Sequence, residues 1–412
     1  MKVLYLHQYF VTPASCGGTR SYEMAKRFVT NGHNVTFVTS SAFLTNCYKF
    51  NQGWNEFEID GIQVFAYHLP YSNKDSFLRR ILKFIRFSLV STTKSLSIKA
   101  DIVLATSTPL TIAIPGLIYS KLKKKPLVFE VRDLWPELPI ATGVIKNKVV
   151  IKAAQYLEHY TYKNAKRLIG LSPGMCDGII RHGIESRHVT LATNSCDTSL
   201  FDVEESVGKD YLTSSLSFVK KRKLVVYTGT FGLINNVNYM VSLAEKMIKV
   251  DPNICFLAVG DGMQKEQIIN TAEKKGILNR NFYVMPPIPK TEIVKLLSAA
   301  DLSLSLFGPV KEMWHNSANK LFDALASNTP IAINYGGWQK DLINEYRCGL
   351  VLDPIDLGIS SVNISNFLND VESYNYAKEQ CNNLAYNHFS RDIMAGRVEE
   401  TLKEAVNDKE NI

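Results

Sequence analysis

The sequence lacks most of the features that would settle its class at once. Its seven cysteines are odd in number and scattered from Cys16 to Cys381, with no Cys-x-x-Cys among 412 residues. That excludes a disulfide scaffold and a zinc framework, and it suits a reducing compartment. Gly-x-Gly-x-x-Gly is also missing, which disfavours a nicotinamide dehydrogenase. No apolar run is both long and unbroken. Ile102–Ser120 carries no charge, but Thr106-Ser107-Thr108-Pro109 divides it and Pro115-Gly116 interrupts the remainder. It reads as a buried strand at Ile102–Ala105, a loop, and a helix with Thr108 as cap and Pro109 at its first position. The opening Met1-Lys-Val-Leu-Tyr-Leu-His7 is too short for a secretion signal and reads as a first strand, so a cytosolic chain is expected.

What is present is ordinary in bulk and uneven in charge. Hydrophobic residues at 46% and charged residues at 21% describe a soluble globular protein, and 412 residues suggest two or three domains. The net charge is +8, and most of the excess is local. Residues 71–100 hold Lys74, Arg79, Arg80, Lys83, Arg86, Lys94 and Lys99 against Asp75 alone. Such a patch points to an anionic surface or substrate; no nucleic-acid-binding motif accompanies it, so no nucleic-acid partner is expected.

Short β-branched runs alternate with helical patterns along the chain. The first half offers strands at Val3–Leu6, Val35–Thr39, Gln63–Tyr67, Ile102–Ala105, Leu127–Val131, Arg167–Leu171 and Val189–Ala192. Helical patterns at Ser21–Thr30, Phe77–Lys94 and Lys148–Lys163 lie between them. After a polar stretch the order restarts at Leu224–Thr228, Cys255–Val259, Phe282–Met285, Leu302–Leu306, Ile331–Asn334 and Leu350–Leu352. This order predicts an α/β chain of two doubly wound, parallel-sheet domains facing a cleft. The expected division is residues 1–201, a linker at 202–222, a second domain at 223–387, and a terminal helix at 388–412 that crosses back to the first domain. Ligands of such sheets bind beyond the carboxyl ends of the strands, so the chemistry is sought in the following loops.

Gly17-Gly18 leads into the first helix, where close backbone approach and free amides suit an anion; a flexible turn is the plainer alternative. Arg132 and Asp133 end a buried strand, as a charged pair that orients a polar substrate or merely fixes the loop. In the second half, Gly229-Thr230 and Gly260-Asp261-Gly262 follow strands in the same way, and Met285 and Ile288 sit in a stiff apolar segment suited to a flat base. Asn319 and Lys320 fall in the first turn of a helix expected to begin near Ser317. A lysine there opposes the helix dipole unless an anion is bound. Asp323, one turn on, suits ribose hydroxyls.

With these segments in hand, the chain resembles a retaining glycosyltransferase of family 4 with the GT-B fold. The likeness rests on Gly17-Gly18, Asn194-Ser-Cys-Asp197, Gly229–Gly232, Gly260-Asp-Gly262 and Ser317–Asp323. Glu130-Val-Arg-Asp-Leu-Trp-Pro-Glu137 and Asn334-Tyr-Gly-Gly-Trp338 make it similar to the bacterial O-antigen and capsule branch that includes N-acetyl-L-fucosamine transferases. The resemblance implies a nucleotide sugar, with UDP as carrier, held mainly by the second domain. Its diphosphate would meet Gly17, Gly18, Gly229, Thr230, Asn319 and Lys320, and its nucleoside Met285, Ile288 and Asp323. The acceptor, a polyprenyl-diphosphate-linked glycan, would meet the first domain, with Arg132 and Asp133 near the reacting centre. His315 stands where the family usually has an acid, and Thr230 and Asn235-Asn236 stand where many members have basic residues.

No Asp-x-Asp occurs, so transfer without a divalent metal or other cofactor is expected, with Lys320 and helix starts neutralising the diphosphate. Phe77–Val90 is expected as a basic amphipathic helix docking the enzyme on the anionic inner face of the membrane. Phe77, Leu78, Ile81, Leu82, Phe84, Ile85 and Leu89 would form one face and Arg79, Arg80, Lys83 and Arg86 the other, with Phe87 and Val90 as exposed apolar residues among them. A core-packed helix with a solvated charged face is the alternative. Two further functions stay open: a nucleotide-sugar 2-epimerase, and a catalytically silent nucleotide-sugar-binding subunit.

Overall fold

The computed structural model describes every residue except 16, 46, 71–74, 76 and 409–412. The chain forms two compact units. One comprises Met1–Asn194, His315–Ser317 and Arg391–Ile412, and the other Ser195–Trp314 and Ala318–Ser390.

The first unit is an eight-stranded sheet. Its strands are β1 (Lys2–Leu6), β2 (Asn34–Ser40), β3 (Trp54–Ile59), β4 (Ile62–Tyr67), β5 (Ile102–Thr106), β6 (Leu127–Val131), β7 (Arg167–Gly170) and β8 (Val189–Leu191). Its helices are α1 (Arg20–Thr30), α2 (Phe77–Leu96), α3 (Ala113–Lys123), α4 (Glu137–Ala141), α5 (Lys148–Asn164) and α6 (Pro173–Arg181). The order across the sheet is β3-β4-β2-β1-β5-β6-β7-β8. β5 and β6 are buried throughout, the signature of strands covered on both faces. The chain leaves β1 toward one edge and later returns to β5 beside it, so the topological switch lies between β1 and β5. A crevice opens beyond the carboxyl ends of strands at such a point.

The second unit repeats the plan with six strands, β9 (Lys223–Thr228), β10 (Ile254–Val259), β11 (Phe282–Met285), β12 (Leu302–Ser305), β13 (Ile331–Ile333) and β14 (Gly349–Val351). They are all parallel in the order β11-β10-β9-β12-β13-β14, with the switch between β9 and β12. Its helices are α7 (Thr198–Phe201), α8 (Glu205–Ser214), α9 (Val237–Val250), α10 (Lys265–Lys274), α11 (Lys290–Ala299), α12 (Asn319–Ala326), α13 (Trp338–Tyr346), α14 (Leu357–Asn369) and α15 (Val371–Asn387). The last helix, α16 (Arg391–Asn407), belongs to the first unit. It is clasped to α1 by Arg27–Asp392 at 2.6 Å and Arg391–Glu23 at 2.8 Å.

Several local expectations need correction. β3 pairs antiparallel to β4, an edge strand whose Asn and Glu content hid it. Thr108 is not a helix cap: a 3₁₀ turn at Leu110–Ile112 comes first and α3 starts at Ala113. α12 begins at Asn319 rather than near Ser317. The stretch 202–222, expected as a linker, carries α8, which packs so tightly on α11 that a Cβ on Gly208 would lie 2.5 Å from the Ser298 carbonyl oxygen.

Candidate functional site

Each switch point gathers a group of polar side chains. In the first unit these come from the ends of β1, β5 and β6. His7, directly after β1, is buried, with Nδ1 2.8 Å from Ser21 Oγ and Nε2 3.4 Å from Arg132 Nη1. A guanidinium only donates, so Nε2 accepts and the proton sits on Nδ1, which donates to Ser21. Burial, and then the Arg132 charge, hold the imidazole pKa well below its ordinary range. His7 is neutral.

Asp133, next to Arg132, accepts a hydrogen bond from Thr108 Oγ1 at 3.2 Å. Burial pushes its carboxyl above the ordinary range, against the pull of Arg132 and Thr108. A carboxyl of that kind suits proton exchange with an acceptor hydroxyl. Beneath this pair, Glu130 accepts from Arg20 Nε at 3.0 Å and Nη2 at 2.8 Å, and also from Thr106 Oγ1. Arg20 also donates to the carbonyls of Ala192 and Thr193. This buried network ties α1 to β6 and to the segment after β8. Gly17 and Gly18 lie on the turn into α1, exposed and half-buried respectively.

His315, Asn316 and Ser317 group with the first unit. Ser172 Oγ donates to the His315 carbonyl, and the His315 imidazole lies where a Cβ on Gly174 would be, 1.9 Å from Nδ1. Asn194 donates through its backbone to Ser317 Oγ at 3.0 Å and through Nδ2 to the Ser317 carbonyl at 2.6 Å.

In the second unit the turn after β9 and the start of α12 meet. Gly229 has φ +144°, and a Cβ there would lie 2.9 Å from Lys320 Cε and 3.2 Å from Nζ, so only glycine fits. Gly260 is pressed still closer, its Cβ position 1.9 Å from the Gly229 carbonyl oxygen. Lys320 Nζ lies 5.1 Å from the centre of the Tyr227 ring. Burial draws its pKa down to about 8, opposed by Asp323. Among the described residues Lys320 makes no ion pair, because the Asp323 carboxylate turns to Lys290 Nζ at 2.5 Å. Lys290 also sits 5.1 Å from the Phe201 ring centre.

The remaining expected contacts lie after β9, at the end of β11 and at the start of α12. Thr230 and Asn319 are exposed, and the Thr230 carbonyl accepts from the Tyr227 hydroxyl at 2.9 Å. Met285 and Ile288 are half-buried, with the Met285 carbonyl accepting from Gly260 N–H at 3.1 Å. Two residues went unnoticed in the sequence. His7 shares the strand-end position that singled out Arg132, a signal that was available. Lys290 precedes Asp323 by 33 residues and opens another helix, so only the fold brings it near.

The four basic residues of α2 do not form a free outward face. Lys83 pairs with Asp75 at 2.5 Å, Arg80 Nε donates to the Asp75 carbonyl at 3.1 Å, and Arg86 donates to the Tyr67 hydroxyl at 3.1 Å. Arg79 is exposed. The inward face is Phe87, Ser88, Ser91 and Ser95, so Phe87 is buried rather than set in the exposed basic face, and Leu82, Ile85 and Leu89 are the exposed apolar residues. The Phe77 and Leu78 side chains lie outside the described residues.

Comparison with known proteins agrees with this geometry. Residues 17–195 match the family of glycosyl transferase 4-like domains, and residues 210–384 match glycosyl transferases group 1. No curated protein sequence matches the chain. Among solved structures, Anabaena HepE in complex with UDP and glucose aligns over 98% of this chain and 100% of its own, at 17% identity and TM-score 0.71. Sucrose-phosphate synthase from Thermosynechococcus elongatus aligns over 98% of both chains at 13% identity and TM-score 0.74. WaaG, a glycosyltransferase involved in lipopolysaccharide biosynthesis, aligns over 98% of this chain and 100% of its own at 14% identity and TM-score 0.67.

Proposed function

The chain belongs to the glycosyltransferases of GT-B fold, and from that premise we propose that it moves a sugar from a UDP-sugar to a lipid-linked glycan. The observation that carries this reading is Lys320, an ammonium that among the described residues has no ion pair and is held against the Gly229 turn. A diphosphate supplies the missing counter-charge, and UDP is favoured because HepE has been solved with UDP and with UDP-glucose. The Glu130–Glu137 segment favours an amino sugar related to N-acetyl-L-fucosamine in a surface polysaccharide such as O-antigen or capsule.

Transfer proceeds with retention and without a divalent metal. Lys320 stabilises the departing diphosphate, and Asp133, its carboxyl held above the usual range by burial, stands ready to exchange a proton with the acceptor. Arg132, kept in place by His7, stabilises charge at the reacting centre. The lipid-linked acceptor puts the enzyme on the anionic inner face of the cell membrane. Among the described residues no helix is long and apolar enough to cross a membrane, so attachment is by surface contact, with α2 as the first contact.

The test is a thermal-shift series of nucleotide sugars followed by product analysis. UDP or its sugar at a hundred times its Kd adds about 2.7 kcal/mol of stability. The product should keep the donor's anomeric configuration and form in the presence of a chelator. Conversion of the nucleotide sugar without acceptor would identify an epimerase, and binding without turnover a silent subunit. Activity lost to chelation and restored by magnesium or manganese would overturn the metal-free mechanism.

A further inference from the structure

We infer that α2, α3 and α5 form one lipid-facing platform on the first unit, in which α5 is a second anchor that sets the orientation of the unit on an anionic bilayer. The inference rests on the membrane location proposed above. It goes beyond it because one amphipathic helix tethers a protein, whereas two separated anchors define a plane.

The three helices lie side by side. α2 packs on α3, α3 on α5, and the Leu110–Ile112 turn touches both α2 and α5. Their outward faces are unlike those of ordinary surface helices. On α2, Leu82, Ile85 and Leu89 fall within about 60° of one another at 3.6 residues per turn, opposite Phe87. Phe87 is fully buried, while Leu82 is 64% and Leu89 65% exposed. On α5, Val149, Tyr156 and Tyr160 fall within about 40° of one another, opposite the buried Glu158. Val149 is 76% and Tyr156 69% exposed, and the two tyrosine rings stack at 6.0 Å. α3 lies between them and exposes Leu122 flanked by Lys121 and Lys123.

Charge decides what covers this face. The three helices carry ten Lys and Arg residues, of which Lys83 is paired with Asp75 and Arg80 and Arg86 bond within the fold, and a single acid, Glu158, which is buried. The exposed apolar side chains stand apart with lysines between them, and Lys121, Lys123, Lys148 and Lys152 are all exposed. A dry protein interface would exclude such lysines from its centre. A bilayer surface accepts both: acyl boundary for Leu, Ile and Val, headgroup level for Tyr, and lipid phosphates for Lys.

The experiment is co-sedimentation of the full chain with vesicles of phosphatidylethanolamine and phosphatidylglycerol, and with phosphatidylcholine vesicles as the neutral control. Leu82→Glu/Leu89→Glu tests α2 and Val149→Glu/Tyr156→Glu tests α5. All four positions point outward, and a thermal melt with and without UDP checks each variant's fold and donor site. Each pair should lower partition onto anionic vesicles about tenfold or more, and the four together should abolish it, with UDP stabilisation unchanged. Tyr156→Trp should show a blue-shifted emission on adding anionic vesicles. An α5 pair that binds like the parent, with no shift for Tyr156→Trp, overturns the second anchor. Loss of self-association in the α5 pair with vesicle binding intact would give the face to a second copy and overturn it too. Vesicle binding in a parent that UDP fails to stabilise would instead sink the donor assignment and leave the platform standing.

Discussion

The two switch points are built from the same plan and arrive at opposite electrostatics. At the first, most charges are answered within the protein: Arg20 by Glu130 and two carbonyls, and Asp133 by Thr108, leaving Arg132 against an uncharged His7. At the second, a cation is held against glycine backbone while the nearest carboxylate turns to another lysine. The difference fits the proposed partners. A neutral hydroxyl acceptor asks for positioning and a proton relay, whereas a diphosphate asks for an unspent positive charge.

If the first edge is closed on itself, breaking its charges costs fold before function. Glu130→Ala leaves the Arg20 guanidinium buried with only carbonyl partners, and urea unfolding should show a loss of about 3–5 kcal/mol. Burial opposes ionisation of Glu130, but Arg20 outweighs it and holds the carboxyl below its ordinary range. A carboxyl depressed in the folded state stabilises fully above its unfolded pKa. That contribution fades as pH falls through the folded value, so the parent should lose in acid an increment that Glu130→Ala never had. Asp133 sits on the same edge with a different task. Asp133→Asn should lower kcat and kcat/KM together by about a hundredfold or more while UDP stabilisation is kept. Loss of UDP binding in that variant would erase the division between the edges.

How much of this was legible depended on distance along the chain. Strands such as β5 and β9 announce themselves as short apolar runs because both faces are covered. Gly229 and Asp133 stood out because a strand end followed by glycine or charge is a local pattern, and Lys320 because a lysine in the first turn of a helix is another. The helical wheel of α2 set Leu82, Ile85 and Leu89 on one face, but it put Phe87 among the exposed basic residues, whereas Phe87 is fully buried. Its inner side is Phe87 with Ser88, Ser91 and Ser95, and Ser88 and Ser91 return their hydroxyls to the carbonyls of Phe84 and Phe87. Small polar residues satisfied by their own helix pack as closely as apolar ones, and periodicity alone cannot see that. The Lys290–Asp323 contact was beyond reach because it is purely tertiary.

The second edge is sharpened by titrating its cation. Lys320→Ala should weaken UDP binding about 10- to 100-fold, the range for a charge-assisted hydrogen bond of roughly 1.5–3 kcal/mol. Parent binding should also fall as pH rises through about 8, where the free lysine loses its proton, and Lys320→Ala should lack that dependence. Stability moves the other way. Between pH 8 and the unfolded value near 10.5 the unfolded chain holds a proton that the folded chain has released, so stability rises with pH in that window. Isothermal titration and melts from pH 7 to 10 read both signs, and UDP binding independent of pH would remove Lys320 from the phosphate.

The smallest effect concerns Lys290, which donates to Asp323 Oδ2. Both side chains are partly exposed, so the pair is worth only about 0.2–1 kcal/mol. Ribose hydroxyls donate to the same carboxylate, and each must compete with an ammonium 2.5 Å away. Lys290→Met keeps the stem that lies near Phe201 and removes the competitor. It should therefore tighten UDP binding about two- to fivefold, as expected for a pair of that size. The gain should vanish in Asp323→Asn, because without the carboxylate there is nothing to release. Weaker UDP binding in Lys290→Met would mean that the ammonium itself contacts the nucleotide, and the second edge would then offer two cations rather than one.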